Sequence, residues 1–70
     1  MDYEMLENKV KEFVLKELEY VKDLPSERRI HSGAMAYGAL MFCEELFPSY
    51  NEELADWWRN EVWRKFYFPS

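Results

Sequence analysis

Gly33-Ala34-Met35-Ala36-Tyr37-Gly38-Ala39-Leu40-Met41-Phe42-Cys43 is an unbroken run without a charge, in a chain that is one-third charged overall. It is too short to cross a bilayer, which takes about 20 residues. A helix that is apolar nearly all round is instead a buried central helix. Its two glycines each lower helix propensity by about 1 kcal/mol relative to alanine, a cost that makes sense where backbones approach closely. Ser32, Ala36, Ala39 and Cys43 line up as a stripe of small side chains, a seat for a neighbouring helix. The opposite face carries Ile30, Ala34, Tyr37 and Met41, bordered by Gly33, Glu44 and Glu45. That face has little polar surface to show to water. Either the rest of the chain covers it or a second copy does, and the expectation is a homodimer whose interface includes Ile30, Ala34, Tyr37 and Met41. The same stripe could serve a different protein.

Working outward, two breaks flank this segment: Asp23-Leu24-Pro25-Ser26 before it and Pro48-Ser49-Tyr50-Asn51 after it. Each joins a proline, which disfavours helix in the preceding residue, to polar residues able to cap the next helix. The first stretch places Tyr3, Leu6, Val10, Phe13, Val14, Leu18 and Val21 on one face at 100° per residue. Glu7–Lys11 and Glu12–Lys16 have the favourable i,i+4 order. The second helix opens at Ser26 as N-cap, with Glu27 in its first turn. In the third, Ser49 and Glu52 have capping-box spacing with Asn51 as the competing cap. Leu54, Ala55, Trp58, Val62 and Phe66 share one face, and Phe68-Pro69-Ser70 ends the helix. These features predict one all-α domain over residues 1–70, an antiparallel three-helix bundle with helices near 3–22, 27–47 and 52–67.

Seventy residues of 8.6 kDa bury a thin core, only about 60% of the unfolded surface. Self-association would relieve that weakness. Cys43 is the only cysteine and His31 the only histidine, so neither a disulfide framework nor a zinc site is expected, nor any cofactor. A net charge of −5 disfavours direct nucleic-acid binding and attraction to anionic membranes. The acidic start Met1-Asp2-Tyr3-Glu4 lacks a signal-peptide apolar region, so a cytoplasmic location is expected. Cys43 reads as a small core residue and His31 as a surface or structural one.

Some residues resist the simple pattern. Trp57 and Trp63 lie about 100° to either side of the third helix's core stripe, so both cannot face one small interior. They either wrap the bundle edges or anchor a partner, and with Arg59, Arg64 and Tyr67 they form the candidate binding surface. Glu17 sits within the apolar face of the first helix, where it must reach water or pair with Arg28, Arg29, His31 or a tyrosine hydroxyl. Glu44, Glu45, Glu52, Glu53 and Asp56 form an acidic patch. It solubilises the chain or imitates nucleic acid in another protein's basic groove. Arg28-Arg29-Ile30-His31 makes a small basic patch, but a third helix that opens with acids argues against helix-turn-helix DNA binding.

The expected function is therefore a small non-catalytic helical interaction module, an adaptor or inhibitor of a protein partner. The alternatives are an acidic nucleic-acid mimic and a structural subunit of a larger assembly. In size, acidity and aromatic content, 19%, the chain resembles short accessory proteins of phages and other mobile elements, a likeness of composition alone.

Overall fold

The computed structural model describes residues 2–68, with Asn51 described without its side chain. Helix α1 spans Tyr3–Val21 and α2 spans Ser26–Leu46. After a 3₁₀ turn at Pro48–Tyr50, the third segment is built from α3 at Asn51–Trp57, a π-helical turn at Trp58–Val62 and α4 at Trp63–Tyr67. The three helical segments pack against one another, and no strand occurs among the described residues. Tyr3 at the start of α1 meets Phe47 and Tyr50 beyond the end of α2. Gly33 near the start of α2 meets Tyr67 at the end of α4. Neighbouring segments therefore run antiparallel, as expected. Pro69 and Ser70, expected to end the third helix, lie outside the described residues.

The caps differ from expectation at the second and third starts, and the first has a cap of its own. Asp2 caps α1, its carboxylate accepting from the Met5 backbone N–H at 2.8 Å. Pro25 precedes α2, so Ser26 is already helical and makes no cap bond. Pro48–Tyr50 winds into its own turn, which takes Ser49 out of capping position and leaves Tyr50 ahead of α3. Here backbone continuity through a proline turn outweighs the side-chain signal.

The core runs along one line of each helix. Val10, Val14 and Val21 come from α1, Ala36, Leu40 and Cys43 from α2, and Leu54, Trp58, Val62 and Phe66 from the third segment. Phe13, expected inside, is 36% exposed at the edge of its stripe. Burying each large side chain contributes about 1.5–3 kcal/mol. Aromatic contacts extend this thin core: Trp58 stacks on Phe66 at 5.7 Å, and Tyr3 stacks on Tyr50 at 4.1 Å.

The π turn follows from the spacing of that third line. Leu54, Trp58, Val62 and Phe66 recur every fourth residue. On a pure α-helix each such step overshoots a full turn by about 40°, which carries Phe66 about 120° away from Leu54. The turn closes with the Trp63 N–H donating to the Trp58 carbonyl, five residues back. A wide turn acts as one inserted residue, rotating everything after it back by about 100°. Phe66 thereby returns to the core, where it is fully buried.

Candidate functional site

That rotation also relocates the indoles. Without it Trp63 would point about 180° from Leu54; with it the residue comes to the flank. Trp57 and Trp63 are both half-buried and pack against the core. Each wraps an edge of the bundle and partly covers the core, one of the two alternatives that the sequence offered. They do not share a surface, however. Trp57 turns toward α1, where Lys11 Nζ lies 5.3 Å from its ring centre. Trp63 joins Tyr37, Ala55, Trp58, Arg59 and Tyr67 around an open groove of about 480 Å³. Of the five residues expected to bind a partner, the structure brings together Arg59, Trp63 and Tyr67. Arg64 stands beside the Trp63 ring at 5.7 Å and faces a second groove.

The first groove is an aromatic cleft with one charge at its mouth. Tyr37 reaches over from α2 to meet Trp58 at 5.5 Å. Arg59 is exposed and pairs with Asp56 at 2.7 Å. Tyr67 is seated by a close approach, because a Cβ on Gly33 would lie 2.7 Å from its hydroxyl oxygen. Tyr37 and Trp58 were absent from the expected binding set. The four-residue spacing around Trp58 was the available signal.

The outer face of α2 is left largely bare by its own chain, although Tyr37 at its edge meets Trp58. Ile30, Ala34, Tyr37 and Met41 are all exposed, Ile30 by 54%. The bare surface extends past that stripe to Met35, Phe42 and Leu46, with Phe42 62% exposed. Intrachain cover for the whole central segment is therefore excluded; the other segments cover only the side bearing Ser32, Gly33, Ala36, Leu40 and Cys43.

The polar residues divide between structure and surface. Arg29 is buried, and its guanidinium donates to the carbonyls of Leu24 at 2.8 Å, of Lys65 at 2.8 Å and of Lys22. It is thus removed from the expected basic patch. Glu17 pairs with none of the expected partners and instead accepts from the Ser32 hydroxyl at 2.7 Å. Glu44, Glu45, Glu52, Glu53 and Asp56 gather near the connection from α2 to α3. Burial, then the Glu52 carboxylate, pushes the Glu44 carboxyl above the usual range, and Glu44 Oε1 is buried without a hydrogen-bond partner. Burial likewise raises the Cys43 thiol. His31 is exposed. Among the described residues no helix is long and apolar enough to cross a membrane, and no three His, Cys, Asp or Glu side chains form a metal-holding group.

Comparison with protein-family models, curated proteins and solved structures finds no match to this chain.

Proposed function

We propose that this chain is a non-catalytic helical interaction module that holds a protein partner in the groove at the π turn. The observation that carries this reading is the convergence of Trp58, Trp63, Tyr37 and Tyr67 around an open cleft, with Arg59 at its edge. Tryptophan, tyrosine and arginine supply most hot-spot energy at protein interfaces, and π turns recur at functional sites. An apolar side chain of the partner fills the cleft while Arg59 exchanges Asp56 for a partner carboxylate. The role is that of an adaptor or inhibitor. The module works as a homodimer, with the second copy on the outer face of α2.

The test is affinity capture with the wild-type chain and with Trp63→Ala and Arg59→Ala, folding being checked by circular dichroism. Retention of one protein by wild type and its loss on Trp63→Ala supports the groove. No retained protein, or equal retention by the folded variants, overturns it.

The clustered carboxylates favour a second reading, an acidic imitation of nucleic acid set in another protein's basic groove. The Glu52 carboxylate lies close enough to Glu44 to add to the cost of ionising it. On that reading capture fails at high salt and on charge reversal at Glu52 and Glu53, and survives Trp63→Ala.

A further inference from the structure

Resting on the homodimer reading, we infer that two copies pack α2 against α2 in antiparallel orientation, crossing at Gly38. The two glycines of α2 have different surroundings. Gly33 is needed inside the chain, where a Cβ would run into Tyr67; a Cβ at Gly38 would meet nothing within 4 Å. Gly38 therefore weakens its own helix with no compensating contact inside the molecule. A glycine at the centre of an exposed apolar helix face lets another backbone approach closely.

The neighbouring side chains specify the occupant and its direction. With a two-fold axis at Gly38, antiparallel packing sets Ala34 opposite Phe42, Met35 opposite Met41 and Ile30 opposite Leu46. Large side chains then meet small or flexible ones. Phe42, exposed by 62%, covers the space that Ala34 leaves. The same axis sets His31 of each copy against Glu45 of the other, both exposed, with Arg28 at the His31 end. A parallel pair would instead set Phe42 on Phe42 and Glu45 on Glu45. Between Ile30 and Cys43 the face carries no formal charge, so two chains of net charge −5 meet there without like charges in contact. The run from Ile30 to Leu46 is about 24 Å long, against a long dimension of 36 Å for the molecule.

Sedimentation equilibrium of the full chain tests this at micromolar concentrations. Wild type is expected at twice the 8.6 kDa chain mass. Gly38→Leu adds a side chain into empty space in the monomer, so it keeps its helical circular dichroism and dissociates at least tenfold more readily. Glu45→Arg and His31→Glu each weaken the dimer about tenfold, and the double variant restores it. A monomeric wild type overturns the homodimer reading itself. A dimer indifferent to Gly38→Leu overturns the crossing point alone, and a double variant without rescue overturns the antiparallel direction.

Discussion

At the scale of single residues, Arg29 contributes more than its place in a small basic patch suggests. Its three carbonyl partners lie past the end of α1 and near the end of α4, where helix dipoles concentrate negative potential. One planar, forked cation thus joins two helix ends through three carbonyls without a carboxylate, a geometry lysine cannot reproduce. Arg29→Ala should cost about 2–4 kcal/mol, since each charged hydrogen bond is worth about 1.5–3 kcal/mol and part is recovered by water. Arg29→Lys should recover less than half of that loss, as read from urea denaturation. Glu44 acts in the opposite sense. Its carboxyl is raised, so the folded state holds that proton more tightly than the unfolded one, and ionisation costs stability. The effect is absent below the ordinary carboxylate range and grows as pH rises through the raised value. Glu44→Gln should therefore stabilise the protein at neutral pH by up to about 1 kcal/mol, with the gain vanishing in acid; thermal melts of both proteins across pH check it. Neither role was legible in the sequence. Arg29 looked like its neighbour Arg28, and Glu17 found Ser32 because helix packing, which no one-dimensional pattern reports, put α2's small stripe against it.

At the scale of elements, helix limits were legible to within a residue or so, because a proline stands at each break and restricts the residue before it. The π turn was not read, although the four-residue recurrence of Leu54, Trp58, Val62 and Phe66 encodes it. A fixed 100° step absorbs such drift as a broad stripe and misplaces Trp63. Since the wide turn equals one inserted residue, deleting exposed Asn60 should leave a continuous α-helix with the same core line and a Tm no lower than wild type. Inserting one alanine after Asn60 should rotate Val62 and Phe66 out of the core and remove about 3–6 kcal/mol. Thermal melts followed by circular dichroism separate the two. The glycines of α2 give a second contrast. At concentrations where the chain is monomeric, Gly38→Ala should raise stability by about 1 kcal/mol. Gly33→Ala, which displaces the Tyr67 ring, should lower it by about 1 kcal/mol after the propensity gain is subtracted.

At the scale of the whole molecule, the all-helical architecture was legible and the candidate site only in part. Arg59, Trp63 and Tyr67 converge, whereas Trp57 faces Lys11, because the side on which a flanking indole lands depends on the turn that went unread. The expected cover for the central helix resolves the same way: its own chain leaves one side bare. In the proposed dimer, association on that side stabilises the folded state by mass action, so the proposal expects Tm to rise with protein concentration for wild type and to stay level for Gly38→Leu. Cys43 offers an independent view of the same events. It lies fully enclosed on the inner side of α2, turned away from the bare face, and its burial keeps the thiolate scarce. An alkylating reagent can therefore reach it only when the helices part. The rate of thiol labelling becomes an internal clock for breathing of the bundle, one that a change in the folding of a single chain would speed or slow through its opening equilibrium alone.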